Sequence, residues 1–198
     1  MRFVYPFDAT PLDSNESEGL IPKHIVTLSQ LNEWEQANIL EAELWLSKHH
    51  YHFSEITTID FVQKLHQKMF NQTWKWAGQF RRTNKNIGDD WSIISENLKK
   101  LLDDVQYQVN HFVYHADEIA TRFHHRLVAI HIFPNGNGRH ARIITDVLLL
   151  SLGQSRFSWG QKSISDLYEP TLVRKQYINA LKAADQHDYQ PLFDFIRK

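Results

Sequence analysis

The residues best suited to chemistry lie in one stretch of twelve residues that begins at His131 and ends at Arg142. Gly136 and Gly138 allow backbone conformations that a Cβ would forbid, so successive N–H groups can converge on one anion. Arg139 and Arg142 are three residues apart, so on a helix they share a face and both can bind phosphate oxygens. His131 lies just before the turn, close enough to act on whatever attacks that phosphate. The pattern predicts a site for a polyphosphate with a histidine beside it.

An apolar helical pattern follows this turn. Ile143, Ile144, Val147 and Leu148 recur at helical spacing after the arginines. The turn would therefore stand at the N-terminus of a helix, where unpaired N–H groups and the positive end of the helix dipole favour phosphate.

Most of the remaining chain also shows helical spacing. Thr27 and Gln30 resemble a capping box, and apolar residues then recur from Leu31 to Leu44. Further helices are predicted at about residues 59–74, 96–109, 117–130, from the turn to about 152, 172–184, and from about 190. Residues 76–88 are too polar and too interrupted by glycine and asparagine for a helix interior, and they predict a hairpin or an extended loop. The predicted fold is all-α with one β-hairpin.

Composition limits the classes of protein to consider. The chain has 198 residues, 22 Lys and Arg against 23 Asp and Glu, and no cysteine. This length fits one domain with a short arm, which we place at residues 1–23 before a domain at residues 24–198. The balanced charge implies no nucleic-acid partner, and no stretch approaches the roughly 18 apolar residues that cross a bilayer. Because the N-terminus lacks an apolar signal segment, we expect a cytoplasmic protein.

The stretch from His131 to Arg142 resembles the signature of the Fic family, H-x-F-x-[D/E]-G-N-G-R-x-x-R. Seven of its eight specified positions are matched, and Asn135 stands at the eighth, where the family usually carries an acid. Residues 74–81 are similar to the segment that enters the Fic flap, and residues 177–192 resemble Fic C-termini. The likeness covers roughly residues 27–196, and its layout is most similar to the subgroup called mobile mystery protein B.

This resemblance implies a protein adenylyltransferase, which transfers AMP from ATP to a Ser, Thr or Tyr hydroxyl of a target protein and releases pyrophosphate. His131 would be the general base that takes the hydroxyl proton. The signature also implies a set of ATP and phosphate-binding residues, which are Gly136, Asn137, Gly138, Arg139 and Arg142. The three residues of the turn would stabilise the transferred phosphate, and the two arginines would hold the β- and γ-phosphates.

The resemblance also implies a flap beside the active site. In the family this β-hairpin aligns an extended peptide of the target by strand addition. The corresponding residues here are Arg82, Thr83, Asn84, Lys85 and Asn86.

The arm carries a pattern that matches the inhibitory motif of the family, [S/T]-x-x-x-E-[G/N]. Ser14, Glu18 and Gly19 occupy its specified positions. The resemblance implies that Glu18 contacts Arg142 and blocks the position that the γ-phosphate of ATP must occupy for transfer. The enzyme would then be weakly active at rest, and a separate regulatory partner could exist.

Metal binding is expected to be weak. The acid of the family binds Mg²⁺, whereas the amide oxygen of Asn135 can ligate it only without charge, so ATP itself would supply most of the ligands. No pair of histidines at i, i+4 with a nearby glutamate appears, so the sequence predicts no histidine metal site.

Two alternative functions stay open at the level of sequence. The first is a non-catalytic Fic-like module that only captures a peptide, with Asn135 as a sign of decay. The second is a Fic enzyme with another donor or reaction, such as UMP transfer or AMP removal. Phosphate transfer in the family accompanies loss of the second arginine and of the Gly-Asn-Gly turn, both of which this chain keeps.

Overall fold

A computed structural model describes residues 12–160 and 172–197 of the chain. The described elements, in chain order, are α1 (Ser14–Ser17), α2 (Leu28–Leu46), α3 (Phe53–Ile56), α4 (Ile59–Phe70), a 3₁₀ turn (Trp91–Ile93), α5 (Ile94–Asn110), α6 (Ala116–Ile130), α7 (Asn137–Ser151), α8 (Leu172–Asp185) and α9 (Gln190–Ile196). The prediction of an all-α fold is confirmed for these residues. None of the described helices is both long enough and apolar enough to cross a membrane.

Local signals in the sequence explain where α2 begins. The Thr27 side chain accepts the N–H of Gln30, and the Gln30 side chain accepts the N–H of Thr27, so both halves of the predicted capping box form. These bonds satisfy two of the N–H groups that a helix start leaves unpaired.

The helix after Thr58 ends earlier than predicted, at Phe70 rather than near Trp74. The cause is a tertiary contact: the chain turns and pairs with the arm, where the Ile21 N–H donates to the Thr73 carbonyl at 2.9 Å and the Lys75 N–H donates to the Gly19 carbonyl at 2.9 Å. Residues 12–23 of the predicted arm thus include a segment that pairs with the domain. Residues 1–11 of that arm lie outside the described residues.

Helix α7 lies at the centre of the described helices. This helix packs against α6, α4 and α3, and α2 packs on the other side of α4. A second apolar cluster joins α8 and α9 to Leu149, Phe157 and Trp159. The turn before α7 is therefore held by side chains from several helices.

The predicted β-hairpin is not present among the described residues. Residues 79–90 form a loop without strand pairing. Side chains bind backbone groups at both ends of this segment: the Arg81 guanidinium donates to the carbonyls of Thr83 and Asp89, and the Asn84 side chain accepts the N–H of Trp91, which follows the loop. These three backbone groups thus bond to side chains and not to a neighbouring strand.

Candidate active site

His131 is the first residue after α6 and has an unusual backbone conformation. Its φ of 55° and ψ of 62° are left-handed, a region that residues other than glycine rarely adopt. Its side chain is buried, and neither ring nitrogen has a hydrogen-bond partner. Burial, assisted by the positive charges of Arg81 and Lys85, lowers the pKa of His131 to about 4. The imidazole is therefore neutral at pH 7 and able to accept a proton.

The turn between His131 and α7 is supported by aromatic packing. Phe133 is fully buried and stacks on the His66 ring, with centroids 3.7 Å apart. The Asn137 side chain accepts the N–H of Phe133 and donates to its carbonyl, both at 2.8 Å. These contacts hold the turn between His131 and α7 in place.

His66 joins this turn to the start of the 79–90 loop. Its Nδ1 accepts the Gly78 N–H at 2.9 Å, so the proton resides on Nε2, which donates to the Asn135 carbonyl at 3.1 Å. Burial lowers the pKa of His66 well below its usual value, which keeps the ring neutral and this tautomer in place.

Gly136 sits at the point where α7 begins. Its φ is 78°, and a Cβ there would lie 2.6 Å from two carbons of the Phe70 ring. Asn137 and Gly138 are the first two residues of α7, so their N–H groups have no acceptor within the helix. The Gly136 N–H, in contrast, donates to the Asn135 side chain at 2.6 Å. Of the three predicted turn donors, one is thus already engaged.

The two signature arginines have different neighbours. Arg139 forms an ion pair with Glu35 at 2.7 Å and lies over the Phe70 ring, 5.0 Å from its centroid. Arg142 lies over the Tyr177 ring at 4.7 Å, and its Nε is buried without a hydrogen-bond partner. Arg139 therefore faces α2 and α4, whereas Arg142 faces α8.

Sequence reasoning missed Glu35 and Tyr177. Glu35 is only 3% exposed and also accepts the indole N–H of Trp74 at 2.6 Å. The sequence did carry a signal for Glu35: it is a charged residue four positions after Leu31 and four before Ile39, within the apolar stripe of α2. Tyr177 bonds through its hydroxyl to His124 at 2.8 Å, a contact that carries no comparable signal in the sequence.

The predicted target-aligning residues lie on the 79–90 loop and are not equivalent. Four of them are exposed, namely Arg82, Thr83, Asn84 and Asn86. The Lys85 side chain is only 3% exposed and forms ion pairs with Asp13 at 2.8 Å and Glu16 at 2.5 Å. At the other end of the loop, a Cβ on Gly88 would lie 2.6 Å from the Cβ of His131. The loop therefore extends from α1 to the candidate base.

The predicted inhibitory residues do not meet Arg142 in this structure. Ser14 begins α1, and Gly19 packs against Trp76, where a Cβ would lie 2.7 Å from the indole. Glu18 is exposed, in a shallow depression beside Trp76, and no ion pair joins it to Arg142. The arm is held by the Lys85 ion pairs and by the Trp76 indole N–H, which donates to the Glu16 carbonyl at 3.0 Å.

The residues present do not form a protein-held Mg²⁺ site. Within residues 12–160 and 172–197, no group of three or more His, Cys, Asp or Glu side chains could hold a metal ion. Asn135 would offer one neutral oxygen, which already accepts the Gly136 N–H. A metal ion at this position would need most of its ligands from the nucleotide.

Part of the chain is similar to a known family and to named proteins. Residues 56–149 match the family described as Fic/DOC family. The chain is 26% identical over 155 residues to a protein adenylyltransferase Fic from Aedes aegypti, covering 72% of this chain and 28% of that protein. It is 27% identical over 153 residues to the Nematostella vectensis protein of the same name, covering 73% and 33%. The chain thus spans a third or less of the length of these relatives.

Solved structures show the same fold. The N-terminal FIC domain of Bep8 from Bartonella sp. 1-1C has a TM-score of 0.66 at 20% identity, covering 98% of this chain and 93% of that one. BepC from Bartonella tribocorum, solved with bound AMPPNP, has a TM-score of 0.67 at 19% identity, covering 93% and 96%.

Proposed function

We infer that the protein, which carries a Fic/DOC family domain at residues 56–149, is a protein adenylyltransferase that moves AMP from ATP to a hydroxyl side chain of a target protein. The observation that supports this most is His131, a buried neutral imidazole without a hydrogen-bond partner, placed directly before the turn that opens α7. A buried polar group left unpaired costs free energy. The two unpaired ring nitrogens of His131 therefore point to a hydrogen-bond partner that arrives with the substrates.

In the proposed reaction, the target hydroxyl attacks the α-phosphorus of ATP while His131 takes its proton. The bond from the α-phosphorus to the bridging oxygen breaks, and pyrophosphate leaves. The N–H groups of Asn137 and Gly138, at the positive end of α7, would stabilise the charge on the transferred phosphate. Gly136 would join them once the Asn135 side chain releases its N–H.

The two arginines would bind the leaving phosphates. Arg142, whose Nε has no partner, can bond to a phosphate oxygen without losing an existing hydrogen bond. Arg139 would either share its guanidinium with Glu35 or exchange Glu35 for phosphate. Such bidentate contacts would orient the α-phosphorus in line with the attacking oxygen.

The direct test is to incubate the protein with α-labelled ATP, Mg²⁺ and a cell lysate, and then to separate the proteins. The proposal expects labelled protein bands and release of pyrophosphate. ATP binding without any label in protein would favour the non-catalytic peptide-binding module instead.

A substitution at Asn135 tests the proposed route of metal binding. Asn135→Asp adds a charged oxygen ligand beside the triphosphate. The Mg²⁺ concentration for half-maximal transfer should therefore fall about tenfold, which corresponds to about 1.4 kcal/mol of added binding free energy. Without Mg²⁺ the same carboxylate should repel ATP and weaken its binding. Titration of ATP affinity and transfer rate against Mg²⁺ measures both effects.

The sign of the effect on ATP affinity should therefore reverse with metal. An unchanged Mg²⁺ requirement in Asn135→Asp would mean that this position does not touch the metal. Asn135→Ser, which has no carboxylate but keeps a short polar side chain, is the matched control for loss of the amide.

We further propose that the arm restrains the enzyme at rest. In the described arm, Asp13 and Glu16 hold Lys85, whose loop ends against His131. This contact would keep the loop from receiving a target peptide. A tenfold restraint requires about 1.4 kcal/mol, which charge-assisted hydrogen bonds of this kind can supply.

The double substitution Asp13→Asn with Glu16→Gln should therefore raise target labelling about tenfold and leave ATP affinity unchanged. Glu18→Gly tests the other route, competition for Arg142, because it leaves both Lys85 ion pairs in place. If only Glu18→Gly raised labelling, the restraint would act on the binding position of the γ-phosphate and not on the 79–90 loop. Equal labelling by wild type and both variants would mean that the arm does not inhibit.

A further inference from the structure

Arg81 is a buried cation without an ion pair among the described residues. It is 2% exposed, and its guanidinium donates to four backbone carbonyls. These are His131 at 2.6 Å, Thr83 at 2.8 Å, Ile130 at 3.3 Å and Asp89. Arginine is rarely buried unless an anion is near, and the charges of Asp89, Asp90 and Glu16 offset part of the cost of burying Arg81. No carboxylate forms an ion pair with it among the described residues, so its guanidinium directs its hydrogen bonds to backbone carbonyls.

Two of those carbonyls belong to the segment that carries the candidate base. Ile130 is the last residue of α6 and His131 is its C-cap, where carbonyls lack N–H donors within the helix and favour a positive charge. The left-handed conformation of His131 costs about 1–2 kcal/mol for a residue with a Cβ. The Arg81 backbone N–H also bonds to the Ile132 carbonyl at 3.0 Å, so Arg81 contacts both sides of His131.

The other two carbonyls belong to the loop that lies against His131. Thr83 and Asp89 stand near the two ends of this loop, and Gly88 packs directly on the His131 Cβ. One guanidinium therefore fixes the backbone of His131 and the segment that covers it. A lysine could not do the same, because its single ammonium lacks the planar fork that spans several acceptors.

We propose that Arg81 is a positioning residue for His131: it holds the imidazole in the orientation that accepts the target proton and clamps the loop around it. This inference rests on the proposed adenylyl transfer. Arg81 touches neither substrate in this account, so its loss should slow the chemical step and leave nucleotide binding intact.

The test compares Arg81→Lys and Arg81→Gln with wild type and with Arg122→Lys, a control on α6 where the half-buried Arg122 pairs with Glu118. The expected result is a tenfold or larger fall in kcat for both Arg81 variants, with the dissociation constant for ATP within about twofold of wild type. The imidazole NMR signals of His131, identified by their loss in His131→Ala, should shift in both variants and stay in place in Arg122→Lys.

A wild-type kcat together with unshifted His131 signals in Arg81→Lys would overturn the proposal, because charge alone would then suffice. If neither variant folds, hydrogen exchange in the wild type decides: the Arg81 Nε–H should be protected, and exchange as fast as in an exposed arginine would contradict its bond to His131. The two proposals fail in different ways. If the proposed function is wrong, wild-type protein transfers no label. The NMR comparison still shows whether Arg81 positions the His131 ring.

Discussion

His131→Ala should reduce transfer of AMP to protein by about 10²–10⁴-fold, the usual contribution of a positioned general base. The affinity for ATP should remain near that of wild type, because the alanine removes the proton acceptor and leaves α7 and the arginines in place. The fold should also persist, since neither ring nitrogen of His131 makes a hydrogen bond. Rates of labelling with α-labelled ATP, together with ATP binding by calorimetry, measure both quantities.

The pH dependence gives a second readout for the same residue. The pKa of His131 is about 4 without nucleotide, so kcat/KM for ATP should stay level from pH 8 to about 5 and fall as pH drops through 4. Bound triphosphate brings negative charge, which favours the protonated ring and should move the fall in kcat to a higher pH. His50→Ala, an exposed histidine on the surface, is the matched control. If His131→Ala labelled protein as fast as wild type, His131 would not be the general base.

Gly136→Ala should produce the second largest loss. The new Cβ would lie 2.6 Å from the Phe70 ring, and a φ of 78° is strained for alanine. The turn must therefore shift at the first residues of α7, and a displacement of about 1 Å at such a site can cost 10²-fold in rate. The strain should also lower the free energy of unfolding by about 1–3 kcal/mol. Labelling rates and thermal unfolding measure the two effects.

Gly138 provides the matched control for stability. It lies in the first turn of α7, and a Cβ built there meets no atom within 4 Å beyond its chain neighbours and the backbone of its own helix. Alanine favours helix over glycine by up to about 1 kcal/mol, so Gly138→Ala should unfold at the same temperature as wild type or at a higher one. If Gly136→Ala were as stable as Gly138→Ala, the turn would have room to adapt, and its supposed rigidity would be wrong.

The parts of this structure that could be predicted from sequence depend on residues close together along the chain. The Thr27 capping box involves residues three apart, and the turn from His131 to α7 is encoded within twelve residues. Helical spacing gave most of the helix positions for the same reason. Local rules also favoured a backbone conformation at Gly136 that a Cβ would forbid, and its φ is 78°.

The parts that could not be predicted depend on distant partners. Arg139 pairs with Glu35, 104 residues away, and only packing of α7 near α2 brings them together. The hairpin is not shown among the described residues, which form the extended loop that the same pattern also allowed. Arg81 donates there to the Thr83 and Asp89 carbonyls, contacts that the pattern of polar residues does not encode. Glu18 matched an inhibitory motif by type and spacing, yet the arm docks on Trp76 and Lys85 and leaves it exposed.

Two parallel labelling reactions test whether this domain transfers AMP to protein. One uses ATP labelled in the α-phosphate and the other ATP labelled in the γ-phosphate, each with Mg²⁺, lysate, and either wild-type or His131→Ala protein. Adenylyl transfer predicts that the label in protein that depends on His131 comes from the α-phosphate only. Labelled pyrophosphate is then released from the γ-labelled nucleotide, and both signals are lost in His131→Ala. Label from the γ-phosphate that is present with wild type and lost in His131→Ala, or no His131-dependent label from either nucleotide while ATP still binds, would contradict it.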